Sequence, residues 1–237
     1  MAVTALAAAC GNGAPPPAPE RVALFTSLPI LWREAADIRD LLADDAAPHW
    51  ALAAMGGPDR VQALDALADD AGAPAMASAG LLVMAQPRPL APQENVALDA
   101  WVRGGGHLLL FADPLLTADS AYALGDKRRP QDVVLLSPIL RRWGLELSFD
   151  DDQPGGEQVV AVGGAELPVN LPGSFALAPG TKGCAIEAGG IVAACTIGKG
   201  TVLAIADAAL LEDADGETAE LRAAVLRTII ARAAALR

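Results

Sequence analysis

Short uninterrupted apolar runs recur through the first half of the chain. Residues 21–26 (RVALFT), 80–85 (GLLVMA) and 107–112 (HLLLFA) are the clearest. Runs of this length, closed off by Pro or Asp, fit strands buried on both faces. The stretches between them follow a helical period instead. Residues 31–44 place Ala35, Ile38, Leu41 and Leu42 on one face, and residues 59–70 space Val61, Leu64 and Leu67 likewise. Residues 92–103 open on Pro92, carry Val96, Leu98 and Trp101, and stop at Gly104-Gly105-Gly106. Strands alternating with helices predict an α/β fold: a mostly parallel sheet with helices on both faces, flavodoxin-like in outline.

The pattern changes after about residue 133. Residues 137–143 read as a short helix and 145–149 as a strand, followed by a solvated acidic turn at 150–156. Residues 158–177 read as short strands broken by Gly and Pro. Two runs, 185–188 and 191–197, flank Gly189-Gly190 and predict a tight hairpin. Gly198-Lys199-Gly200 turns into an apolar strand at 201–206. The chain ends in an amphipathic helix, 217–237, with Leu221, Val225 and Ile229 recurring beside Leu226 and Ile230. No repeat is present. One α/β domain is expected over 21–237, β-rich near 145–206, with 1–20 as leader and tether.

Composition sharpens this in two ways. Hydrophobic residues make up 53% of the 237, and the mean hydropathy is +0.34. That would suit a membrane protein, but the longest apolar window, 217–237, carries Glu217, Glu220, Arg222, Arg227, Arg232 and Arg237. Charges at mid-membrane are costly, so the apolar excess belongs to an Ala-rich folded core. A net charge of −12 excludes a nucleic-acid binder, which needs clustered Lys and Arg against phosphate.

The first residues differ from the rest. A short apolar run ends Ala7-Ala8-Ala9-Cys10-Gly11, and a Pro-rich stretch follows. Small residues before a Cys look like a bacterial lipoprotein leader, with Cys10 as the lipidation site and a flexible tether behind it. The run lacks a basic start and is short for a signal peptide. The alternative is an Ala-rich terminus with a chance Cys. A diacyl anchor at Cys10 would hold the protein at a membrane without a spanning helix.

Candidate chemistry is sparse. With a two-residue Gly189-Gly190 loop, Cys184 falls directly opposite Cys195, within reach of a disulfide. The alternative is a pair of buried thiols. Neither His49 nor His107 stands in a metal-ligand spacing, so no metal and no cofactor are expected. Ser27, Gln86, Arg88, Asp113 and Asp207 all fall at or just past the carboxyl ends of predicted strands. In a parallel sheet these share the edge where open α/β folds place ligands. Asp113 and Asp207 either serve a ligand or reaction there, or cap turns and following helices.

Two stretches carry a family pattern. The first runs through Leu81 to Leu90, Leu98-Asp99-Ala100-Trp101-Val102-Arg103-Gly104-Gly105-Gly106 and Leu108 to Pro114. The second is Gly198-Lys199-Gly200, the strand to Ala206, Asp207, and then Leu210-Leu211. Together they resemble the soluble domain of gliding-motility-type ABC transporter auxiliary proteins. The resemblance implies a class I glutamine amidotransferase-like fold, extracytoplasmic placement, and transporter permease and ATPase subunits as partners. Relatives usually carry spanning helices; here the lipid on Cys10 would substitute. An amidotransferase also needs a Cys on a Gly-x-Cys-x-Gly turn with a His base. Neither motif is present, so the expected role is a non-catalytic, lipid-tethered accessory subunit on the periplasmic side. The alternatives are a hydrolase or transferase using the strand-end carboxylates, a periplasmic small-ligand binding module, and a cytoplasmic location.

Overall fold

A strand such as Leu81-Leu82-Val83-Met84-Ala85 has no polar side to give to water, so both its faces must find a core. The computed structural model, which describes residues 19, 21–35 and 48–237, supplies one on each side. In chain order the described elements begin with β1 (Val22–Thr26), α1 (Trp50–Ala54), β2 (Val61–Ala63), β3 (Leu81–Ala85), α2 (Pro92–Gly104) and β4 (His107–Phe111). There follow α3 (Ser137–Arg142), β5 (Leu145–Ser148), β6 (Gln158–Val162), β7 (Ala165–Val169) and β8 (Ser174–Leu177). Last come β9 (Cys184–Glu187), β10 (Val192–Ile197), β11 (Gly200–Ile205) and α4 (Gly216–Ala235).

The central sheet runs β2-β1-β3-β4-β11-β10-β9. Its first five strands are parallel, and β10 and β9 complete it as antiparallel neighbours. The fold is therefore α/β with a mostly parallel sheet. Leu81, Val83 and Ala85 face a core built with α1, α4 and the β6–β7 hairpin. Leu82 and Met84 face the opposite core, built with α2, α3, Leu145 of β5 and Phe175 of β8. Among the described residues no helix is long and apolar enough to cross a membrane.

The residues expected as a helix over 59–70 form strand β2 and turns instead. Val22, Ala23 and Leu24 of β1 pair with Val61, Gln62 and Ala63, and Leu64 N–H continues onto Leu24 O at 2.9 Å. An unpaired flank of β1 would leave backbone groups without partners, and that need overrides a helical spacing. Farther on, the Asp69 carboxylate takes the N–H groups of Ala71 and Ala73, which competes directly with a helix. The helix expected over 31–44 is likewise absent from its first residues: 31–35 are bend and coil. Ile38, Leu41 and Leu42 lie outside the described residues, as does Cys10.

The β9–β10 connection also differs. It spans residues 188–191 around a single turn of 3₁₀ helix rather than two glycines. The register is nonetheless the expected one, because Glu187 pairs with Val192 and Cys184 with Cys195. Cys184 and Cys195 form a disulfide, with Cα atoms 4.0 Å apart. Replacing both cysteines by Ala should lower stability by about 2–3 kcal/mol, the loop entropy of a short crosslink, measured by urea unfolding. No difference between the variant and the oxidised protein would contradict the tie.

Gly198-Lys199-Gly200 has a packing reason. Gly198 adopts φ +65° to reverse the chain from β10 into β11. The turn lies on the carboxyl end of α2, where Lys199 N–H reaches Arg103 O at 3.0 Å and satisfies a helix-end carbonyl. A Cβ on Gly200 would collide with the carbonyl oxygens of Val102 and Gly106. Gly200→Ala should therefore cost about 2–4 kcal/mol in chemical unfolding. A loss below about 0.5 kcal/mol would show that the turn does not need this contact.

Candidate functional site

Four parallel strands, β1, β3, β4 and β11, end on the same edge, and the polar residues at their ends form one network. Ser27 Oγ donates to Gln86 O at 2.5 Å and accepts from Gln131 N–H at 3.0 Å. Gln86 is fully buried at φ +43°. Its side chain binds the Asp113 backbone on both sides, accepting from N–H at 2.9 Å and donating to O at 3.0 Å. A second donation reaches Gln131 O at 2.7 Å. These bonds hold a backbone conformation that costs on the order of 1 kcal/mol for a non-glycine residue.

Asp113 and Asp207 occupy the next layer, 0% and 1% exposed. Asp113 accepts from Leu115 N–H at 2.8 Å and from Ala208 N–H at 3.1 Å. Asp207 accepts from Ala209 N–H at 2.6 Å and Asn170 N–H at 2.9 Å. Every carboxylate oxygen of the pair thus faces a backbone donor. Each aspartate turns its own chain, and also fixes a distant one: Asp113 the exit from β11, Asp207 the link from β7 to β8. Burial pushes Asp113 up to about 6. Burial and then the neighbouring Asp113 charge push Asp207 up to about 8.

Arg88 leaves this edge altogether. Its guanidinium binds both oxygens of Glu94 at 2.8 Å and lies 4.9 Å over the Phe25 ring. Glu94, itself buried, caps the Ala91 and Leu67 N–H groups, and Arg88 holds its carboxyl down to about 2. This is a structural tie between α2 and the chain after β2. Sequence reasoning passed over Glu94, though its place three residues after Ala91, in the first turn behind Pro92, is a capping signal.

A cleft of about 660 Å³ opens beside the network. It is walled by the chain after β1, by His49 and Leu52, by Leu116 and Asp119, and by Ala208, Leu211 and Glu212. Ser27, Gln86, Arg88, Asp113 and Asp207 do not line it. Asp207 marks the right strand end, but the wall begins one residue later at Ala208. The cleft mixes apolar surface, including half-exposed Trp32, with Glu34, Glu212 and Asp213. His49 caps α1 by accepting from Ala51 N–H at 3.2 Å through Nδ1. Burial lowers its pKa, against the pull of Asp213.

Among the described residues, the hydroxyls that meet a carboxylate of the cleft wall are Thr117, donating to Glu212 at 2.7 Å, and Ser120, donating to Glu34 at 2.8 Å. Cys184 and Cys195 are bonded to each other, and His107 sits at the opposite, amino end of β4 against Thr201 Oγ1 at 2.8 Å. Among the described residues no group of three His, Cys, Asp or Glu side chains could hold a metal ion.

No protein-family model and no curated protein matches the sequence. Solved structures of similar outline include the exo-β-1,4-mannosidase of Opitutaceae bacterium strain TAV5, at 14% identity and a TM-score of 0.46. The β-galactosidase of Rahnella sp. R3 is similar at 14% and 0.47, and a putative ThuA-like protein of Bacteroides uniformis at 12% and 0.43. These alignments cover 81%, 88% and 94% of this chain. They cover 31%, 30% and 95% of the other proteins, so this chain spans under a third of either glycosidase. Likenesses this distant say nothing of function.

The buried pair makes a signed prediction. An unfolded Asp207 titrates near 3.8, the folded one near 8. Between those values the folded protein holds the extra proton, so its stability falls as pH rises. Urea unfolding from about pH 6.5 to 8 should show that fall, and Asp207→Asn should flatten it. A stability that rises with pH over this interval, or an unchanged slope in Asp207→Asn, would be the contrary result.

Proposed function

We propose that this protein is a non-catalytic, extracytoplasmic accessory subunit of an ABC-type transport system, tethered by lipid on Cys10. One observation carries the non-catalytic part. The two carboxylates best placed for chemistry are closed to solvent and give their oxygens to backbone N–H groups. A hydrolase or transferase using them would need them to reach a substrate. The Cys184–Cys195 disulfide supports the compartment, because such bonds persist where thiols are not kept reduced. The transporter partner rests on the family resemblance of the strand, helix, triple-glycine and Gly-Lys-Gly segments. Lipid attachment rests on the small residues before Cys10.

The cleft favours a second reading, a small-ligand binding module. Its volume lies within the range of about 300–1,000 Å³ usual for ligand sites. The two readings are compatible, since an accessory subunit can present a ligand to its transporter.

Fractionation and affinity purification from a native producer distinguish the outcomes. The wild-type protein should sediment with membranes and bring down permease and ATPase subunits. Cys10→Ala should move to the soluble fraction with its fold intact. A wild-type protein that is soluble and purifies without transporter subunits would refute the proposal.

A further inference from the structure

The amino edge of the central sheet, opposite the cleft, carries positive charge that the fold does not use up. Arg103, in the last turn of α2, holds the buried Asp99 through Nε at 2.9 Å. Arg142, at the end of α3, holds the same carboxylate at 2.6 Å. Two guanidinium groups on one carboxylate leave a net positive charge, and their side chains remain 44% and 60% exposed. Lys199 joins them, because its turn rests on Arg103 O. Arg141 adjoins Arg142, and Lys182 follows Thr181, whose hydroxyl donates to Gly144 O just beyond α3. Arg141, Lys182 and Lys199 are exposed, and among the described residues none of their side chains is paired with an acid. Against these five bases the same region sets Asp99 and, on β5, Glu146. It is therefore net positive in a chain of net charge −12.

Charge is thus divided along the strand direction. At the carboxyl edge Glu34, Asp119, Glu212 and Asp213 wall the cleft, and Arg88, Arg128 and Arg129 on that side are each bound to an acid. The chain also enters at the basic edge. A Cβ on Gly80 would lie 3.5 Å from Pro19 Cβ, and Gly80 N–H reaches Arg21 O at 3.0 Å, just before β3 and β1 begin. The start of β11 at Gly200 is two strands along the sheet from β3, roughly 10 Å. Cys10 precedes Pro19 by nine residues, a span of at most about 30 Å.

We infer that the amino edge, through Arg103, Arg141, Arg142, Lys182 and Lys199, docks on an anionic lipid surface and turns the cleft away from it. The inference rests on the proposed function for its anchor, the lipid on Cys10. The anchor brings the protein to the surface. The division of charge then selects the edge, since anionic headgroups attract the bases and repel the acidic cleft. Five bases spread over two helix ends and two turns, none of them lining the cleft, suit an array of headgroups rather than one small anion.

The three lysines of the chain provide an internal control. Lys182 and Lys199 belong to the basic edge, and Lys127 to the exposed loop after β4 on the other side. The Cys184–Cys195 bond leaves Cys10 for coupling to a maleimide lipid in vesicles. The coupling supplies the anchor, so a failure here is a failure of docking and not of native lipidation, which fractionation tests separately. On vesicles of phosphatidylglycerol and phosphatidylcholine, lysine acetylation read by mass spectrometry should slow at least about threefold at Lys182 and Lys199, relative to Lys127. The protection should vanish on phosphatidylcholine alone and in about 0.5 M salt. Arg141→Glu should reduce it with unchanged thermal melting. Equal rates at the three lysines on the anionic vesicles overturn docking, and protection strongest at Lys127 overturns the orientation. Protection that persists on phosphatidylcholine alone, or is indifferent to Arg141→Glu, overturns recognition by charge.

Discussion

Placing two carboxyl groups beyond the reach of water at the ends of adjacent strands is costly unless their oxygens are fully hydrogen-bonded. Asp113 and Asp207 meet that demand with backbone donors from four places: Leu115, Ala208, Ala209 and Asn170. The consequence runs through the whole carboxyl edge. Asp113 ties the end of β4 to the exit from β11, and Asp207 ties β11 to the connection between β7 and β8. Gln86 extends the same set of bonds to β3, and Ser27 to β1. Loops that would otherwise be independent are fixed to one another by groups that cannot leave without exposing unsatisfied amides.

The cleft is a product of that constraint. Its wall at Ala208 is held by Asp113, and Glu212 follows within one short turn. The chain before α4 is fixed from the other side. Arg222 donates to Ala209 O and Glu212 O, and Trp50 Nε1 donates to Glu212 O at 3.1 Å. The residues with the most suggestive chemistry therefore shape the recess without lining it. An edge organised in this way is suited to holding a surface still for a ligand or partner.

Much of the fold was legible from residue pattern because the parallel strands are apolar on both faces. LLVMA and HLLLF read as buried strands, and the Gly104 and Gly198 stops fall where the chain turns. The segment around Val61 was not legible. Its spacing is helical, but the open flank of β1 recruits it as a strand, and that demand arises only once the sheet exists. Four of the five expected positions, Ser27, Gln86, Asp113 and Asp207, sit together at the ends of β1, β3, β4 and β11. What they do there was hidden, since the difference between a ligand group and a loop tie depends on which amides arrive from distant residues such as Asn170 and Ala208. Arg88 illustrates the same limit: three residues past β3, it turns to Glu94 and Phe25. In α4 the expected face holds at Leu226, Ile229 and Ile230, which are buried, and fails at Leu221, which is exposed.

The two aspartates act as one structural tie across the carboxyl edge. Amide hydrogen exchange at Leu115, Asn170, Ala208 and Ala209 tests it most directly. In the wild-type protein all four amides should exchange slowly, and Asp113→Ala should release Asn170 and Ala209 along with its own partners Leu115 and Ala208. Fast exchange at these amides in the wild type, or a loss confined to Leu115 and Ala208, would contradict the account.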